Sequence, residues 1–244
     1  MNEAVLRINT ISVYGFGILA VASFLWGSFV YFRKSLESHL EEKIILDSVV
    51  LAAFWSFIFG RLVFAIFNFE IFWQHWSRLL LLSNYPGLDR WGVVIGMGIG
   101  IWLTLKKSNG KLVDWLDYLA IGVSAGMSVF FAGLALITFV WQFALLAVLY
   151  LLAFIYFWRI EYRYRTFSWY RYNKTSAKSG LILGLSIAFW GVLFLTEKIL
   201  LSSFSWRVGL WAGMLLVGGQ ILVYIRSGRT IKDDLKIIFK NGKK

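Results

Sequence analysis

The 244-residue chain has no cysteine, one proline and two histidines. Without cysteine there is no disulfide framework, no thiolate zinc site and no cysteine nucleophile. A single proline, against a usual share of about 5%, leaves little room for long extended loops. His39 and His75 are distant in sequence and form no metal-ligand motif, so the sequence calls for no metal and no cofactor. Charge is scarce as well. Only 16% of residues are charged, with 13 acidic against 25 basic and a net charge of +12, where a soluble domain carries about 25%. Apolar residues fill the space, at 59%, with 19% aromatic. So much hydrophobicity excludes a disordered chain. A basic balance on so apolar a chain also argues against a nucleic-acid-binding domain. The composition is that of a polytopic membrane protein.

Crossing a hydrocarbon core of about 30 Å takes about 20 apolar residues at 1.5 Å each. Seven stretches qualify: Ile11 to Phe32, Ile44 to Phe67, Trp91 to Leu105, Leu116 to Ile137, Phe139 to Trp158, Gly180 to Leu195 and Val208 to Ile225. The third is the shortest. The first lacks a signal-peptidase-like cleavage site and reads as a retained helix. The expected fold is therefore an all-α integral membrane protein of seven transmembrane helices. Residues 1–225 form the membrane domain and residues 226–244 a basic interfacial tail. Lysine and arginine collect in cytoplasmic loops. Nineteen of the 25 basic residues fall after spans one, three, five and seven. That asymmetry predicts an outer N-terminus and a cytoplasmic C-terminus.

Between spans, the sizeable outer segment runs from Phe69 to Arg90, with a turn signal at Tyr85-Pro86-Gly87. Its Leu79–Leu82 run is too short to span and suits a re-entrant or interfacial segment. The stretch from Arg159 to Lys178 alternates aromatic and basic residues, as in Tyr162-Arg163-Tyr164-Arg165, and suits anionic headgroups. The Ile231–Phe239 tail mixes apolar and basic residues and is expected to lie on the membrane.

Glycines recur at four-residue spacing: Gly92, Gly96 and Gly100; Gly122 and Gly126; Gly180 and Gly184; Gly209 and Gly213. Removing Cβ lets helices approach closely in lipid, so these predict helix packing. Ionisable groups within spans are costly and need a reason. Arg61, two-thirds along the second span, is either an interhelical or snorkelling cation or an anion site offering paired N–H donors to phosphate. Asp114 and Asp117 open the fourth span, where a helix N-terminus favours carboxylates. Glu197 ends the sixth beside Lys198, where an ion pair is expected. His39, among Glu37, Glu41 and Glu42, reads as solvated, and His75, between Trp73 and Trp76, as interfacial.

Several segments together resemble the bacterial prolipoprotein diacylglyceryl transferase family. Ile11-Ser12-Val13-Tyr14-Gly15 resembles the family's Trp-Tyr-Gly opening of span one. Gly60-Arg61-Leu62-Val63-Phe64-Ala65-Ile66-Phe67-Asn68 resembles its Gly-Arg-(Ile/Leu)-Gly-Tyr-Val-Leu-Phe-Tyr-Asn segment. Asp117-Tyr118-Leu119-Ala120 is similar to the opening of its fourth span, and Gln142 falls where the family has Ser-Gln-Leu-Tyr. The resemblance implies a seven-span enzyme of the inner membrane. Such an enzyme moves the diacylglyceryl group of phosphatidylglycerol onto the lipobox cysteine of a prolipoprotein. Carried over, it makes Tyr14, Arg61, Arg90 and Gln142 candidates for binding a lipid phosphate, with Asp117 and Glu197 as supporting acids. The expected partners are phosphatidylglycerol and a prolipoprotein signal peptide, and no nucleic acid.

The chain also departs from the family. Its His-Gly-Gly falls near Arg90-Trp91-Gly92, without the histidine. Its signature at the end of span four falls on Phe130-Phe131-Ala132-Gly133-Leu134-Ala135, without arginine, asparagine or glutamate. Its second arginine, expected in span six, falls near Leu193. Three readings stay open: a transferase with a rebuilt site, a non-catalytic relative that binds lipid or a membrane partner, and a small transporter.

Overall fold

The computed structural model describes residues 4–8, 11–37, 41–73, 87–106, 112–168, 179–202 and 205–227. Among these, a short antiparallel hairpin, β1 (Ala4–Ile8) and β2 (Ile11–Tyr14), precedes the helices α1 (Gly15–Leu36) and α2 (Glu42–Phe67). A single turn, α3 (Phe69–Phe72), follows. Next come α4 (Arg90–Leu105), α5 (Leu112–Thr138), α6 (Trp141–Ser168), α7 (Leu181–Leu200) and α8 (Trp206–Arg226). The seven longer helices match the seven expected spans. Five of them, α2, α5, α6, α7 and α8, are long and apolar enough to cross a membrane. At 16 residues, α4 reaches about 24 Å at 1.5 Å per residue.

The first span begins later than its hydropathy suggests. Ile11–Tyr14 belongs to β2, where Tyr14 pairs with Ala4 and Ile11 with Ile8, and the helix starts at Gly15. Apolar β-branched residues satisfy either structure, and the paired strand wins. Helix α1 also runs past Phe32, so Lys34 is in its last turn, where the helix dipole favours cations. Lys34 is buried and its Nζ donates to Glu37 Oε2 at 2.7 Å. The aromatic and basic stretch after span five is helical through Ser168. His39, His75, Leu79–Leu82, Tyr85-Pro86 and the tail lie outside the described residues.

The chain divides into two compact units, residues 1–126 and 127–244. In the first, α2 and α4 are antiparallel and in backbone contact. A Cβ at Gly92 would stand 2.5 Å from the Phe59 carbonyl oxygen, one at Gly96 would collide with Trp55 and Ser56, and one at Gly100 would stand 2.5 Å from Ala52 N. The facing row on α2 is Ala52, Ser56 and Gly60, all buried. Small residues every four positions on both helices let the backbones touch, which is how helices associate where lipid is as apolar as leucine. Gly27 of α1 meets Gly122 and Gly126 of α5 in the same way. Tyr31, Ile45, Ala52, Ile101, Leu105, Trp115 and Tyr118 form the core. Thr104 and Ser124 bond back to their own helix, to Gly100 O at 3.0 Å and to Ala120 O at 2.9 Å, so these hydroxyls do not burden the apolar interior. Ser48 donates to Ile45 O at 2.6 Å, which makes Tyr31 the donor in the 2.9 Å bond joining its hydroxyl to Ser48 Oγ and tying α1 to α2.

In the second unit α7 and α8 pack through Gly184, Ala188 and Gly191 against Ala212, Gly219 and Val223. The expected packing role holds at Gly184 and fails at Gly213, around which a Cβ would meet nothing within 4 Å. The face of α8 that meets α7 is set by Ala212 and Gly219, seven residues apart, and Gly213 points elsewhere. Gly180 serves as a helix start, with φ 94°, a left-handed conformation that glycine adopts without a Cβ clash. The α5–α6 connection is only Phe139 and Val140, and so tight a corner holds Phe139 at φ 53°.

Candidate phosphate-binding site

The site forms where α2 ends and α4 begins. Asn68 stops α2 in a non-helical conformation while its side chain donates to Phe64 O at 2.8 Å. The single turn of α3 then carries Phe72 back over the end of α2. Phe72 is 1% exposed and lies edge-to-face with Phe64, 6.1 Å between centroids. Arg61 precedes Phe64 by three residues, so the two share a helix face. Its guanidinium carbon stands 5.6 Å from the Phe64 centroid and 5.4 Å from that of Phe72. Arg61 is 3% exposed, and its Nη1 donates to Gly87 O at 2.9 Å. Two ring faces and a backbone carbonyl thus hold a cation that would otherwise cost several kcal/mol in a span.

The start of α4 is fixed from the other side. Asp89 caps it, accepting from the backbone N–H of Trp91 at 2.9 Å and of Gly92 at 3.0 Å. The Asp89 backbone N–H donates to Gly60 O at 3.0 Å. Gly60 leaves room for this approach, since a Cβ there would stand 2.8 Å from Val93 Cγ2. Arg61 and Arg90 each follow a residue of that backbone bond, so both cations occur at one end of the α2–α4 pair. Arg90 is half-buried, with its guanidinium carbon 5.8 Å from the Trp91 centroid. A guanidinium is planar and forked, and suits the oxygens of a phosphate better than a point charge does.

The other sequence candidates belong to other elements. Tyr14 ends β2, and its side chain lies outside the described residues. Asp117 is buried in the second turn of α5, between Trp115 and Tyr118 of the core cluster that also holds Ile45 and Leu105. Ile45 and Leu105 mark the start of α2 and the end of α4, so Asp117 belongs to the end remote from Arg61. Gln142 is the second residue of α6, partly exposed, in the second unit. Glu197 is buried on α7 in the same unit, and the neighbouring Lys198 Nζ stands 5.8 Å from the Phe194 centroid. Within the first unit, the backbones at Arg61 and Arg90 meet at one end of the α2–α4 pair, and Asp117 belongs to the other end.

Sequence reasoning missed three parts of the site: Gly87, Asp89 and Phe72. Asp89 had a readable signal, an aspartate directly before an apolar helical run, where N-caps occur. Gly87 acts through its carbonyl and Phe72 through a chain reversal, and neither has a local signature.

Comparison with known proteins covers this part of the chain. Two curated relatives are the phosphatidylglycerol–prolipoprotein diacylglyceryl transferases of Thermoanaerobacter sp. (strain X514) and Thermoanaerobacter pseudethanolicus (strain ATCC 33223 / 39E). Each is 22% identical over 121 residues, which is 49% of this chain and 47% of the relative. The chain therefore spans about half the length of the curated relatives it matches. The family model for prolipoprotein diacylglyceryl transferase matches residues 3–133, just over half of the chain and the part that contains Arg61, Gly87 and Asp89. By that match, this multi-pass membrane protein belongs to the prolipoprotein diacylglyceryl transferase family.

Proposed function

We propose that the chain is a phospholipid-dependent diacylglyceryl transferase of the bacterial inner membrane. In this reading the N-terminus is outside and the C-terminus cytoplasmic. Arg61, with Arg90, holds the phosphate of phosphatidylglycerol, and Tyr14 and Gln142 are further contacts to lipid or substrate. Glu197 and Asp117 act as supporting acids in their own regions. The acceptor is the lipobox cysteine of a prolipoprotein. In the transfer the cysteine thiol loses its proton, and a sulfur–carbon bond forms as the carbon–oxygen bond to phosphate breaks. Negative charge gathers on the departing glycerol phosphate, which takes up the proton. A preorganised cation at that oxygen lowers the barrier, and losing one such donor costs about 10²–10³ in rate. The observation that carries the reading is the buried Arg61 guanidinium, fixed by Gly87 O, Phe64 and Phe72 inside the segment that the family model matches.

The test is rescue of a bacterium depleted of its own diacylglyceryl transferase. The intact chain is expected to restore prolipoprotein lipidation, and Arg61→Ala to lose it while still inserting in the membrane. An inserted, intact chain that lipidates nothing contradicts transfer. One observation favours a second reading, that of a lipid-binding relative without chemistry. Where the family has its charged signature, Phe131 is 3% exposed and stacks on Tyr150 at 5.3 Å, 15° between planes. An aromatic stack supplies no charge there. Phosphatidylglycerol binding that depends on Arg61, without lipidation, would select this second reading.

A further inference from the structure

The α4 cap and the Arg61 guanidinium are joined by a short chain of bonds. Asp89 Oδ1 closes the first turn of α4 by accepting from Trp91 and Gly92 N–H, and its own N–H is bonded to Gly60 O. The two side-chain bonds fix Asp89 to α4, and the backbone bond docks it on α2 at Gly60. Two residues before Asp89, the Gly87 carbonyl takes the Nη1 donor of Arg61 at 2.9 Å. Gly87 also sits so close to the Phe64 ring that a Cβ would collide with it. Its position is therefore set by packing on one side and by the Asp89 clamp on the other.

We propose that Asp89 is a positioning residue for Arg61. By pinning the Gly87–Asp89 segment to both helices it holds the Gly87 carbonyl against one guanidinium nitrogen. That contact sets the rotation of the guanidinium plane, and with it which N–H edge meets the phosphate of a lipid headgroup. Asp89 touches no phosphate and acts through Gly87 O. Its carboxylate also occupies the α4 N-terminus, so phosphate recognition falls to the side chain of Arg61 and not to backbone donors of Trp91 and Gly92. The proposal rests on the reading of Arg61 as the phosphate-binding cation.

A double-mutant cycle on the full chain tests it. Wild type, Asp89→Ala, Arg61→Ala and the double variant are placed in phosphatidylcholine nanodiscs and titrated with short-chain phosphatidylglycerol. Loss of an N-cap side chain corresponds to about a fivefold change in an equilibrium. Asp89→Ala is expected to weaken binding by about that factor, and to have no further effect once Arg61 is alanine. Asp89→Asn keeps an accepting oxygen and is expected to bind as wild type does. If Asp89→Ala does not yield folded protein, Asp89→Gly replaces it, because glycine is tolerated at an N-cap. Wild-type affinity in the Asp89 variant, or the same loss in both Arg61 backgrounds, overturns the proposal and leaves the Arg61 reading standing. Wild-type affinity in Arg61→Ala overturns the Arg61 reading, and the proposal with it. The cycle is repeated with inorganic phosphate, and coupling confined to that free anion also overturns the proposal.

Discussion

Two helix pairs in this chain are built alike and end differently. The α2–α4 pair closes through Gly92, Gly96 and Gly100 on Ala52, Ser56 and Gly60, and the α7–α8 pair through Gly184, Ala188 and Gly191 on Ala212 and Gly219. In both, small residues bring backbones together, as expected where no hydrophobic force separates helix from lipid. Among the described residues, only α2–α4 finishes in a buried arginine, an aspartate cap and a loop carbonyl bonded to that arginine. Close packing is thus the general means of assembly. Both pairs carry a buried charge, Arg61 on α2 and Glu197 on α7, and at the α2–α4 end a loop carbonyl and two aromatic rings hold it.

The comparison can be broken at its charged end first. Arg61→Ala is expected to reduce lipid transfer by about 10²–10³, measured as lipidated prolipoprotein per unit of inserted protein. Next comes the packing beneath it. Gly96→Leu forces a side chain into the α2 backbone and should destabilise the first unit by about 3 kcal/mol, read as a lower thermal midpoint in detergent together with lost phosphatidylglycerol binding. Gly219→Leu, in the other pair, should lower the midpoint by a comparable or slightly smaller amount, about 2–3 kcal/mol. In protein that remains folded it should leave phosphatidylglycerol affinity unchanged, because Arg61, Phe64, Phe72 and Gly87 all belong to the first unit. The smallest effect belongs to Gly213→Ala, within about 0.5 kcal/mol, since nothing stands within 4 Å of the added methyl. A large loss there would mean that α8 has a packed neighbour on that face.

The spans were legible because each is a run of apolar residues of membrane length, and their number matched the seven longer helices. Ends were harder to read. Ile11–Tyr14 is as apolar as the helix it precedes, so hydropathy could not assign it to a strand. Lys34 reads as a loop cation, yet it closes the last turn of α1 and is paired with Glu37. Glycine spacing located the α4 seam correctly but misplaced the α8 one, because spacing gives a stripe and not the direction in which it faces. At the site, Arg61 stood out by the cost of a charge in a span, and Arg90 by resemblance. What holds Arg61 was not readable. A carbonyl has no residue-type signature, and Phe72 reaches the guanidinium only because Asn68 ends α2 and the chain turns back.

The central claim is that the α2–α4 end around Arg61 takes the phosphate of an anionic phospholipid. Photo-crosslinking tests it most directly, with a headgroup-reactive phosphatidylglycerol analogue in membranes containing the full chain, followed by peptide mapping. Labelling is expected to concentrate in the peptides that contain residues 60–73 and 87–93, and to be lost in Arg61→Ala. Labelling spread over the outward faces of α6 and α8, unchanged by Arg61→Ala, would contradict it.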